Sequence, residues 1–197
     1  IKTRIKQLTE ELTGPRKGGA HGGPVTVIRP EGAAQVALIG PPSSGKSALH
    51  AALTHSHAQT APYPFTTQYP QPGMLPFEDA LLQLLDLPPI DPEHPIPWLG
   101  GTLQQTDACL LTVDLLDPDC VDRVLALHAE LGRQRVYLTR HWPGSTPEAL
   151  REIPEDPFAL LLPTLMLATK ADLIPHLDEE LKVFRELAGL DYPVLPV

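Results

Sequence analysis

The chain has 197 residues, 42% apolar and 20% charged, which suits one soluble domain with a substantial core. Its net charge of −9 excludes broad electrostatic binding of nucleic acid across the surface, and the local basic cluster of Lys2, Arg4, Lys6, Arg16 and Lys17 reads equally well as a solvated helix face. Two lone cysteines, Cys109 and Cys120, exclude a disulfide framework and place the protein in the cytoplasm, while the longest strongly apolar stretch, 158–168, is too short to span a bilayer and is broken by Pro163.

Residues 1–13 read as a short charged helix with Ile1, Ile5, Leu8 and Leu12 on one stripe, and 14–24 as a glycine-rich linker. The rest, 25–197, reads as one α/β domain. Strands are expected at 25–29 and 36–39, the second running directly into Gly40-Pro41-Pro42-Ser43-Ser44-Gly45-Lys46-Ser47. That stretch matches the phosphate-binding pattern G-x-x-x-x-G-K-[ST] at each specified position. A helix with apolar residues at helical spacing follows, to about Thr54. Glycine lets the backbone curl so that successive N–H groups face a phosphate, and the helix start adds a favourable dipole. The expected nucleotide contacts are Gly40, Pro42, Ser43, Ser44, Gly45, Lys46, Ser47 and Ala48, with Lys46 on the β- and γ-phosphates and the Ser47 hydroxyl on Mg²⁺.

A proline-punctuated segment at 61–72 reads as a mobile loop, and 81–85 as a strand ending at Asp86. Residues 87–106 hold five prolines and no periodicity. A buried strand at 108–115, a helix at 118–131 and a short strand at 136–139 come next. A proline-rich insertion (141–163) leads into a strand at 160–168, then a helix at 178–188 and a strand at 194–197. Strands alternating with helices predict a mostly parallel, doubly wound sheet. The chain opens on Ile1 and stops at Val197 directly after an apolar run, as a piece of a longer protein would.

Asp86 falls at the carboxyl end of its strand, the edge where ligands bind in such sheets, and can hold Mg²⁺ opposite Ser47. In Tyr63-Pro64-Phe65-Thr66-Thr67 a threonine can complete the coordination of Mg²⁺ when a γ-phosphate is present. Thr169-Lys170-Ala171-Asp172 also follows a strand. A carboxylate there accepts from guanine N1–H and its exocyclic amine, whereas adenine offers neither donor. His50, His55 and His57 read as a solvated helix end rather than a metal site, and Trp98 and Trp142 as packing residues.

In order and spacing these motifs resemble the GTPase fold, and the Tyr63–Thr67 loop, Pro70, Pro72 and Gly73, Leu84-Leu85-Asp86-Leu87-Pro88 and the Gly40-Pro41-Pro42 turn resemble the Obg and DRG group over about residues 30–197. The resemblance implies a P-loop GTPase fold binding GTP or GDP with Mg²⁺. Lys46 and Thr67 would carry the chemistry, and Ser47, Thr67 and Asp86 would attend the metal. It implies a ribosome or RNA partner, a TGS-like domain beyond this chain, and Ile90 where other GTPases place a catalytic glutamine. The chain departs from the group at Pro89, which stands where a glycine donates its N–H to the γ-phosphate. It departs again at Thr169 in place of asparagine, and at Ser43 in place of an asparagine tied to potassium binding. It also ends where the last guanine-contacting loop would begin. A slow GTPase switch is the first expectation, and a degenerate GTPase serving as a nucleotide-binding scaffold is the second. A P-loop ATPase or kinase is a third, disfavoured by Asp172 and the Phe65-Thr66-Thr67 loop.

Overall fold

The computed structural model describes residues 28–54, 69–142 and 156–197. The expected N-terminal helix and linker, His55, His57, the Tyr63–Thr67 loop and residues 143–155 of the insertion lie outside the described residues. In chain order the elements are β1 (Ala34–Ile39), α1 (Lys46–Thr54), β2 (Gln71–Phe77), β3 (Ala80–Asp86), α2 (Leu99–Leu103), β4 (Ala108–Asp114) and α3 (Cys120–Arg133). There follow β5 (Val136–Thr139), β6 (Leu160–Thr169), a 3-10 turn (Ala171–Leu173), α4 (Leu177–Ala188) and β7 (Val194–Pro196).

The strands order as β2-β3-β1-β4-β6-β5, with β7 also pairing β6. Every pairing is parallel except β2 with β3. Central parallel strands are covered on both faces, so they read as nearly continuous apolar runs. Ala37, Leu38, Ile39, Leu84, Leu85, Leu111, Val113, Met166 and Leu167 are all buried. Helix α3 buries Val124, Leu127 and Leu131 at helical spacing. Helix α4 buries Phe184 and Ala188 and stops at Gly189, whose φ of 66° makes a left-handed cap with its N–H on the Arg185 carbonyl. The doubly wound, mostly parallel fold expected from the sequence is the one observed.

Four local expectations are corrected. Residues 71–77, read as loop at their start, form the outermost strand β2. Pro72 and Pro76 hid it, because proline is tolerated only where a sheet has a free edge. Gly73 is required there: a Cβ would lie 2.6 Å from Thr54 Cγ2 and 2.7 Å from His50 Nε2, so α1 rests directly on β2. His50 is therefore no solvated helix end; it is buried, with Nε2 3.3 Å from the Leu84 carbonyl. The proline-rich 87–106 segment is anchored rather than irregular throughout. Leu87, Ile90, Leu99 and Leu103 enter the core, and the Gln134 amide holds the stretch by accepting from Gly100 N–H at 2.7 Å and donating to the Ile96 carbonyl at 3.1 Å. Ile28 and Arg29 lie outside any strand. Among the described residues no helix is long and apolar enough to cross a membrane.

Candidate functional site

The parallel strands all deliver their carboxyl ends to one edge of the sheet, the side where ligands enter in doubly wound folds. Register sets Leu38 of β1 beside Asp86 of β3, and Asp114 of β4 beside Thr169 of β6. Gly40, Asp86, Asp114 and Thr169 thus converge although they lie far apart in sequence.

The turn from β1 into α1 has the backbone of a phosphate loop. Ser43 (φ 61°) and Gly45 (φ 86°) both take the left-handed conformation that curls the chain back on itself. Pro41 and Pro42 have no N–H, so the donors of the loop are those from Ser43 to Ala48. The first turn of the helix is closed by Leu49 N–H on the Gly45 carbonyl at 3.0 Å. Lys46 is buried, and its Nζ donates to the Pro41 carbonyl at 3.2 Å. Burial pulls its pKa down to about 8, against the opposing pull of Asp86.

Ser47 Oγ donates to Asp86 Oδ2 at 2.6 Å, and Asp86 is only 1% exposed. A hydroxyl and a carboxylate, both hard oxygen donors held side by side, fit a magnesium ion. Thr67 lies outside the described residues.

The structure brings Thr169 to the same loop, its hydroxyl 3.1 Å from the Ser44 carbonyl and 3.2 Å from that of Val113. Lys170 adopts φ 58° and pairs with Asp114, whose side chain is largely buried. Ala171 N–H donates to the Val197 carbonyl at 3.1 Å, and Asp172 is exposed in the 3-10 turn that follows. Ile90 touches the loop through its backbone alone. Its side chain joins the core, and its N–H donates to the Gly40 carbonyl at 3.2 Å. Thr112 and Asp114, both beside this site, were missed by the sequence reading. For Asp114 the signal was there, because a carboxylate at the end of an apolar strand follows the logic that singled out Asp86.

The family described as 50S ribosome-binding GTPase matches residues 35–141, more than half of the chain. The chain belongs to that GTPase family. Developmentally-regulated G-protein 2 of Arabidopsis thaliana is 43% identical over 90 residues, 46% of this chain and 23% of that protein. GTP-binding protein 1 of Schizosaccharomyces pombe is 42% identical over 152 residues, 74% of this chain and 41% of that protein. The GTPase chain thus spans between about a quarter and two-fifths of the length of these relatives. Among solved structures, an Era variant of Aquifex aeolicus bound to GDP.AlF4- superposes with a TM-score of 0.56 at 17% identity, over 83% of this chain and 50% of that one. NFeoB of S. thermophilus, bound to GDP.AlF4- and K+, gives 0.52 at 20% identity, over 84% and 55%. These likenesses bear out the P-loop GTPase fold, and the DRG relatives bear out the resemblance read from the motifs.

Proposed function

We propose that this domain binds GTP and GDP with Mg²⁺, hydrolyses GTP slowly, and acts as a cytoplasmic switch for a ribosome or RNA partner. The observation that carries the reading is the Ser47–Asp86 contact, which joins the phosphate loop to the end of β3 on the edge that also presents Thr169 to Asp172. In this reading the N–H groups from Ser43 to Ala48 and the Lys46 ammonium grip the phosphates, and the exposed Asp172 takes the guanine. Ser47 and Asp86, with Thr67, would hold Mg²⁺, which when bound neutralises charge on the phosphate oxygens. Ile90 keeps its side chain in the core, so this position offers no group to orient a water. Turnover is then on the order of 10⁻⁴ per second or less, the range of unassisted GTPases. The family description supports the ribosome as partner. The net charge of −9 favours contact through parts of the protein beyond this domain. Turnover of radiolabelled GTP by the full-length protein, with ATP as competitor, tests the reading; preference for ATP would sink it.

The same site binds nucleotide without hydrolysis in a second reading, a scaffold, and Pro89 favours it because proline cannot donate to a γ-phosphate. Loss of one hydrogen bond to a charged group costs about 1.5–3 kcal/mol, or about ten- to a hundredfold in preference for triphosphate. Pro89→Gly is expected to restore part of that preference, limited by Pro88 and by the anchoring of Ile90. Paired affinities for GDP and a non-hydrolysable GTP analogue check this. A parent chain already strongly selective for triphosphate, and unchanged by the substitution, would mean another donor has replaced the glycine.

The low pKa of Lys46 makes binding proton-linked. The folded chain holds this proton only up to about pH 8, whereas the unfolded lysine keeps it to about 10.5, so stability without ligand rises with pH between those values. Phosphates favour the ammonium, so binding of GDP at about pH 9 takes up a proton and binding at about pH 6.5 takes up none on Lys46. Calorimetry in two buffers of different ionisation enthalpy measures the uptake, and its absence at the higher pH would show that Lys46 does not meet the phosphates.

A further inference from the structure

On the core side of the phosphate loop two buried hydroxyls meet. Ser44 is 2% exposed and Thr112 fully buried, and Thr112 interrupts the apolar run Leu110, Leu111, Val113 in β4. A hydroxyl is costly to bury unless its bonds are made. Here they are: Thr112 Oγ1 lies 2.7 Å from Ser44 Oγ and 3.1 Å from the Ile39 carbonyl, and Ser44 Oγ lies 2.9 Å from the Pro41 carbonyl. Each hydroxyl has one proton. Either Thr112 donates to Ile39 and Ser44 to Thr112, or Thr112 donates to Ser44 and Ser44 to Pro41. Both arrangements tie β4 to the loop.

Two further features show the fit of this brace. Gly40 stands in its path, where a Cβ would come 2.4 Å from Thr112 Oγ1 and 2.8 Å from Ser44 Oγ, so only glycine lets the hydroxyls reach each other. The Ser44 carbonyl is held from the other side by the Thr169 hydroxyl at 3.1 Å. Within the loop Ser44 Oγ and Lys46 Nζ both reach the Pro41 carbonyl, and the contacts from β4 and β6 hold it from outside.

We propose that Thr112 is a positioning residue for nucleotide binding: acting through Ser44, its hydroxyl fixes the turn from Gly40 to Gly45 so that the loop N–H groups point at the phosphates. This rests on the nucleotide-binding reading above. The test is calorimetric affinity for GDP of the parent chain, Thr112→Val, Thr112→Ser, Ser44→Ala and the Thr112→Val/Ser44→Ala pair, at a temperature where thermal unfolding shows each to be folded. Thr112→Val keeps the shape and removes the hydroxyl, and should weaken GDP about three- to tenfold, the worth of one neutral hydrogen bond. Thr112→Ser should return affinity to the parent value, and the pair should be no weaker than the weaker single variant. Parent-like affinity of Thr112→Val, or losses that multiply in the pair, would leave Thr112 a packing residue and overturn the proposal. If Thr112→Val does not fold, Ser44→Ala carries the test alone: the same loss supports the brace, and unchanged affinity refutes it. A parent chain with no affinity for GDP would refute the nucleotide reading and the brace with it, whereas a binding parent and an unaffected Thr112→Val would refute only the brace.

Discussion

Replacing Lys46 with alanine is expected to abolish, or nearly abolish, binding of GDP and GTP. The ammonium is the only lysine charge of the loop, and it sits buried with Nζ on the Pro41 carbonyl. Charge-assisted hydrogen bonds are worth about 1.5–3 kcal/mol each. One such bond, to the β-phosphate, costs GDP about one to two decades of affinity, and a second, to the γ-phosphate, brings the loss for GTP to about two to four. The fold should tolerate the change, since burial already disfavours the charged form in the ligand-free chain. Calorimetry with both nucleotides, with circular dichroism as the check on folding, measures the loss. Unchanged affinity would mean the loop does not hold phosphate.

Asp172→Asn is expected to exchange guanine for xanthine. The carboxylate offers two acceptors, matching the two donors of guanine. Asparagine offers one acceptor and one donor, matching the N1–H and 2-oxo group of xanthine. Sites built on such pairing discriminate by about 10⁴-fold. Asp172 is exposed, so its replacement should shift stability by no more than about 0.5 kcal/mol, and the loss can be assigned to the base contact. Competition of GTP, XTP and ATP on parent and variant is the measurement. A parent that prefers ATP, or a variant that still prefers GTP, would remove Asp172 from the base site.

Much of this site was legible because the chemistry is local. The phosphate loop announces itself within eight residues, and the strand ends at Asp86 and Thr169 follow from apolar runs that stop abruptly. Their convergence follows from the parallel topology, so the Ser47–Asp86 contact across 39 residues could be anticipated. What escaped depends on tertiary context. Strand β2 exists by pairing with β3 and resting against α1, and its prolines and Gly73 conceal any alternation. Helix α2 spans five residues, too few for a period, and forms where Leu99 and Leu103 find the core. Thr112 was hidden for a different reason: a single threonine in an apolar strand is also a common β-former, and only the loop packed against it gives the hydroxyl its role.

Among the described residues β2 is the outermost strand, and its sequence shapes how this border can meet other chains. Strand β2 pairs with β3 through seven consecutive residues, so Pro72 and Pro76, four apart and therefore of one parity, turn their nitrogens outward. A strand arriving from a second copy, or from a partner that lengthens the sheet, would find Met74 as the one N–H donor between residues 72 and 76 on the outer side. Main-chain augmentation, and the edge-to-edge stacking that begins aggregation, are thereby blocked along this border. Recognition there has to use side chains, and the apolar ones on offer are at the hairpin end, where Phe77 and Leu81 are 61% and 49% exposed.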